Sequence, residues 1–129
     1  MPLSPETEMV RGNLELPDGA RVEGSLVVQG TLRSGDGARF GGSIKASRVE
    51  MGARNRVRGN VVSGSTLRVG EESRVEGSMV ADSDILLRRG ARVGAEGKEA
   101  VVSAGRDVTL EENVAVRGKI AAGRAIVTV

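Results

Sequence analysis

The amino-acid sequence predicts an all-β chain wound as a single-stranded, three-faced β-helix (β-solenoid) of about six coils of ~18 residues each. Three observations carry this expectation. Between Leu67 and Asp84 (LRVGEESRVEGSMVADSD), Leu67 and Val69, Ser73 and Val75, and Met79 and Ala81 alternate with other, mostly polar residues, which is the period of a half-buried strand. The same register recurs at Leu14, Leu32, Val49, Ile85, Val108 and Ile126. With Leu67 in the series the successive spacings are 18, 17, 18, 18, 23 and 18 residues. Finally, strands this short leave an ordinary sheet no room for its connections. Stacking each strand in parallel on its counterpart one coil later removes the difficulty. At about 4.8 Å per coil, six coils stand roughly 29 Å tall.

Composition agrees with a thin, repetitive core. The 129 residues suffice for one domain and are 39% hydrophobic and 28% charged, with 19 glycines and a single aromatic, Phe40. Globular cores usually draw much of their buried area from aromatic rings, so this one must be filled by aliphatic side chains. Nineteen basic residues against 17 acidic give a formal net charge of +2. That balance argues against nucleic acid as a partner, despite a pI near 9.7. Cysteine and histidine are both absent, which excludes disulfides, thiolate metal sites and histidine chemistry. No apolar run approaches bilayer length, and Met1–Val10 lacks the regions of a signal peptide. The expected location is the cytoplasm.

Taken in order, residues 1–13 (MPLSPETEMVRGN) read as a disordered or capping N-terminal arm, with Met9 and Val10 able to fold over the end of the core. Residues 14–129 form the β-helix domain. Six complete coils run from Leu14 to about Ala125, and a seventh begins after them. Of their thirty-six inward slots, twenty-five hold a large aliphatic residue or Phe40, eleven hold Ala, Ser or Asn, and none is charged. One column is mostly small (Ala20, Ala38, Asn55, Ser73, Ala91, Val114) and its neighbour large (Val22, Phe40, Val57, Val75, Val93, Val116). Such alternation fills a narrow interior without voids. Two residues further on stand Gly24, Gly42, Gly59, Gly77, Ala95 and Gly118, a corner needing positive φ or a close backbone approach. The short spacing comes from one residue lost between Ala46 and Val49. The long one comes from five residues added around Glu96 to Ala100, at a corner that tolerates insertion.

Catalytic patterns are weak. Val69-Gly70-Glu71-Glu72-Ser73-Arg74 fits the hexapeptide unit of left-handed β-helix acyltransferases, but those enzymes use a histidine base and their carbonic anhydrase relatives bind zinc through histidines. No P-loop and no nucleophile elbow occurs. Glu71-Glu72 and Glu111-Glu112 read as solvated corner charges. Asn55 reads as a core amide bonded to backbone or to Ser73. No catalytic residue, cofactor or metal is expected. The outward residue between the small and large columns is arginine in five successive coils, Arg21, Arg39, Arg56, Arg74 and Arg92, a ladder of like charges. Local compensation is the expected answer to it, with Glu72 and Glu76 beside Arg54 and Arg58, and Glu23 beside Arg21. Arg39 and Arg92, flanked only by glycines, are the candidate anion contacts.

The phrase Arg-Val-Glu-Gly-Ser followed by an aliphatic residue, at Arg21 to Leu26 and Arg74 to Met79, resembles that of the bactofilins, bacterial polymer-forming cytoskeletal proteins. Variants stand at Arg39 to Ile44, Arg56 to Val61 and Val116 to Ile120, so the likeness spans about Leu14 to Thr128. The repeat leaves handedness open; the resemblance implies a right-handed triangular β-helix joining end to end into filaments without nucleotide. It also implies a scaffolding role in cell shape or protein localisation, with the chain itself and cell-wall enzymes as partners, at the inner face of the membrane where such filaments attach. The short tail here lacks a membrane-binding apolar motif. Exposed strand edges and core at a solenoid's ends independently favour self-association. The expected contacts are Leu14, Leu16, Val22 and Leu26 at one end, once the N-terminal arm moves aside. At the other they are Val108, Leu110, Val116, Ile120, Ile126 and Val127. The alternative is a capped monomeric or trimeric, hexapeptide-repeat-like solenoid that binds anionic polymers.

Overall fold

The computed structural model describes residues 7–129, and the part of the expected arm at residues 1–6 lies outside the described residues. Regular structure among the described residues is all strand, wound as a β-solenoid of about 7 turns of ~18 residues. Every pairing between strands is parallel, and the three faces of the coil are linked into a 12-stranded and a 6-stranded sheet. Face A carries strands such as Val61–Ser63 and Met79–Ala81, face B Leu67–Val69 and Ile85–Leu87, and face C the two-residue strands Arg56–Val57 and Arg74–Val75. Faces A and B belong to one sheet because Ser25–Ser34 and Ile44–Met51 run unbroken around their shared corner.

The expected register holds along the whole stack. Leu14 pairs with Leu32, then Val49, Leu67, Ile85, Val108 and Ile126 follow in sequence. Alternation puts these side chains inside, and from Leu32 to Val108 this column is fully buried. Phe40, the one aromatic, is likewise enclosed in the large column of face C. The lost residue appears as a register shift, where Val28 faces Ala46 but Thr31 faces Arg48.

The added residues fall one step earlier than expected. Val93 pairs with Val116 and Ala100 with Gly118, so Ala95–Glu99 is looped out as a small hairpin. The Lys98 amide donates to the Ala95 carbonyl at 3.0 Å, and Gly97 turns the tip at φ 78°. Ala100, not Ala95, therefore occupies the glycine column, with its methyl buried. In that column close approach is the constraint at Gly42, Gly59 and Gly77. A Cβ there would lie within 2.5–2.8 Å of backbone in the preceding coil.

Gly118 in that column also has positive φ (144°), but positive φ recurs in every coil at a different corner. Gly19, Gly37, Arg54, Glu72, Gly90 and Asn113, successive residues of one column between faces B and C, have φ of 72°, 71°, 53°, 57°, 74° and 60°. All six lie in the left-handed region, which costs a non-glycine residue roughly 1 kcal/mol. Beside the glycine column, polar side chains secure the corner between faces C and A by bonding one coil ahead. Ser25 Oγ accepts from the Ser43 amide, Ser43 Oγ from Asn60, Asn60 Oδ1 from Ser78, and Ser78 Oγ from Val101. The serine or asparagine of the recurring phrase is thus a hydrogen-bond ladder.

Asn55 is satisfied from several sides, as a buried amide must be. Its Nδ2 donates to the carbonyls of Gly35 and Ala53, its Oδ1 accepts from Ser34 Oγ at 2.6 Å, and its backbone amide donates to Ser73 Oγ.

The turn chemistry gives opposite outcomes at two positions. Glu72→Gly relieves the left-handed strain and should raise unfolding free energy by about 0.5–1 kcal/mol, while Gly118→Ala, whose Cβ would collide with the Ala100 carbonyl, should lower it by about 2 kcal/mol or more. Urea unfolding followed by circular dichroism reads both.

Candidate assembly ends and the arginine face

A solenoid buries its inward side chains only where a further coil lies on either side, so the ends are where core becomes surface. At the N-terminal end the stack begins earlier than Leu14. Thr7–Val10 pairs in parallel with Ser25–Val28, laying Val10 over Val28 and Glu8 over Leu26. This added strand buries Leu26 to 2% exposure, so Leu26 reaches the end surface only where the strand moves aside. The end cross-section instead comprises Leu14, Leu16 and Val22, as expected, joined by Val10 and Ala20; all five are half-buried against the core. Exposed Glu8 and Met9 stand beside them.

At the C-terminal end, Ala125–Thr128 pairs with Asp107–Leu110. Val108 is consequently fully covered by Ile126 and is removed from the expected contact set. Ile126 itself is 51% exposed, whereas Val116 and Ile120 are half-buried, as are Val114 and Ala122 beside them. Leu110 is half-buried beneath Thr128. Val127 pairs with Thr109, an outward position, and so lies on the side of face B instead of in the cross-section.

The last strand is held at its entrance by an ion pair. Arg124 donates through Nε and Nη2 to the two carboxylate oxygens of Asp107 at 3.0 and 2.8 Å. This bond holds the Asp107 carboxyl below its ordinary value and raises the Arg124 guanidinium.

The arginine ladder is present in register: Arg21 pairs with Arg39, and Arg56, Arg74 and Arg92 follow, with Ala115 ending the column. All five side chains are exposed. The expected compensation reaches only one rung, Arg56, which meets Glu76 at 3.4 Å. Arg54 pairs with Asp36 at 3.7 Å and not with Glu72, and Glu71 pairs with Arg89. Among the described residues no carboxylate lies within 4.0 Å of Arg21, Arg39, Arg74 or Arg92. Arg21, Arg39, Arg56 and Arg58, with Glu23, line a groove of about 410 Å³, and Arg74, Arg89 and Arg92, with Glu72, border another.

No three carboxylates among the described residues converge as a metal site. Comparison of the chain with protein-family models, curated proteins and solved structures found no match.

The ion pair makes the terminal strand acid-sensitive. Because the folded-state pKa of Asp107 is depressed, its stabilisation is present at neutral pH and is lost as pH falls through that folded value. Amide exchange of residues 125–128 should therefore accelerate at acidic pH relative to the middle coils. Asp107→Asn should show the faster exchange already at pH 7.

Proposed function

We propose that the protein is a non-enzymatic structural element that self-assembles end to end, without nucleotide, into filaments of the bactofilin kind that scaffold cell shape or the placement of other proteins. One observation carries this reading: inward apolar side chains are enclosed throughout the middle of the stack and come to the surface together only at its two ends. Val10, Leu14, Leu16, Ala20 and Val22 do so at one end, and Val114, Val116, Ile120, Ala122 and Ile126 at the other. Each end also presents parallel strand edges with unpaired backbone groups, which template the addition of a further coil. A second chain placed there continues the same hydrogen-bonded stack and removes apolar area from water at about 25 cal/mol per Å². Assembly on this basis needs no bound cofactor.

The recurring phrase supports the family reading because four of its six residues have a coil-building role. In Arg74 to Met79 the arginine faces out, Val75 and Met79 fill the core, Gly77 permits close approach and Ser78 bonds to the next coil. A charge in the terminal cross-section should stop assembly. Ile120→Lys, at a half-buried end position, is expected to abolish filaments seen by negative-stain microscopy of nucleotide-free protein, while its circular dichroism stays that of a β-protein. Val62→Lys, on an outward position of face A, should leave them intact. Uniform small particles in the unaltered protein would sink the proposal.

A further inference from the structure

We propose that face C is a binding surface for a linear, flexible phosphate polymer, lying along the solenoid axis on the arginine ladder. This is independent of end-to-end assembly, because the ladder is complete within one chain.

The three outward columns of face C hold eight arginines (the five of the ladder with Arg54, Arg58 and Arg117) against three glutamates (Glu23, Glu72 and Glu76), and with Asp36, which pairs with Arg54 at 3.7 Å, counted as a fourth acid the excess is four positive charges. The whole chain carries only +2, so the charge is concentrated on this face. Strand pairing fixes the ladder arginines about 4.8 Å apart and aligns them in one row. Four of the five have no carboxylate within 4.0 Å among the described residues, so solvent counterions neutralise the row, and a polyanion gains by releasing them.

The shape of the face selects the class of anion. Its strands are two residues wide, so it admits one chain along the axis and not a broad surface. An extended acidic peptide presents same-side carboxylates only about every 6.8 Å, too sparse to meet successive arginines. A single phosphate backbone carries a charge at about every 3.4 Å, dense enough to do so. Bases have nothing to stack on, because the sole aromatic, Phe40, is buried. A phosphate chain without bases is therefore the fitting ligand. Arginine's planar fork grips phosphate oxygens two at a time. The groove lined by Arg21, Arg39, Arg56 and Arg58 with Glu23, and the one lined by Arg74, Arg89 and Arg92 with Glu72, are the two places where it would be held, the arginines outnumbering the acid in each.

The test is fluorescence anisotropy of the full chain with end-labelled inorganic polyphosphate, with unlabelled polyglutamate, single-stranded DNA and anionic phospholipid vesicles as competitors. Binding should weaken steeply as salt rises. It should fall about tenfold in Arg39→Ala/Arg92→Ala, and tighten several-fold in Glu76→Gln, which removes a competing charge without disturbing the core. Thermal melts and filament formation should be unchanged in both variants, which separates this surface from the ends. Absent binding, affinity indifferent to both variants, or a competitor that binds more tightly than polyphosphate would overturn the proposal.

Discussion

Backbone groups of each strand are satisfied by the coils before and after it, and this single requirement dictates nearly every other feature of the molecule. Parallel pairing at about 4.8 Å leaves no freedom of register, so each residue rests on its counterpart in the adjacent coil. An inward charge would then lie against apolar neighbours above and below, which is why the middle of the core contains only aliphatic residues, Phe40 and a few hydrogen-bonded polar groups. Where the corner between faces C and A tightens, Gly59 and Gly77 let adjacent backbones approach to within van der Waals contact. Where it loosens, serine and asparagine side chains bridge to the next coil.

Stability in such an object is local. Each coil touches only its neighbours, so the contribution of a core side chain depends on whether it has one neighbour or two. Val49 and Leu67, sandwiched on both sides, are completely enclosed, and full burial of such side chains contributes about 1.5–3 kcal/mol each. Ile126, in the same column, has a neighbour on one side only and is half exposed. The Arg124–Asp107 bond acts where apolar burial is weakest, at the entrance to that terminal strand.

Period and alternation made the architecture legible from residues alone, because stacking converts a sequence repeat directly into a spatial one. The column headed by Leu14 was readable to its last member, and so was the arginine row. Features that depend on how the backbone bends were not. The left-handed corner passes through Arg54, Glu72 and Asn113 as well as three glycines, so no single residue type marks it. The loop after Gly94 could be placed only by knowing that Ala100 tolerates the close corner. Leu26 is covered by Thr7–Val10, which joins the stack by pairing and not by a strong apolar pattern, whereas the cover over Val108 was already present in the repeat as Ile126. Glu8 in an inward column is the clearest case: its alternation is broken at the position where the coil meets solvent.

Inward and outward positions answer to different forces, and the arginine row shows how far they can be separated. The core fixes Val22, Phe40, Val57, Val75 and Val93, but it places no demand on the residues one step before them, which project into water. Folding would accept threonine, lysine or glutamate there, and mixed charges would relieve the repulsion that a uniform row creates. On face B the outward column does this: Glu15, Arg33 and Glu50 alternate in sign and pair across coils at 3.9 and 2.9 Å. The same solenoid thus neutralises one ladder internally and leaves the other positive. Because both ladders share one backbone geometry, the difference between them cannot come from the fold. The uniform sign of face C is a property of its surface, separate from the apolar ends through which the stack would grow.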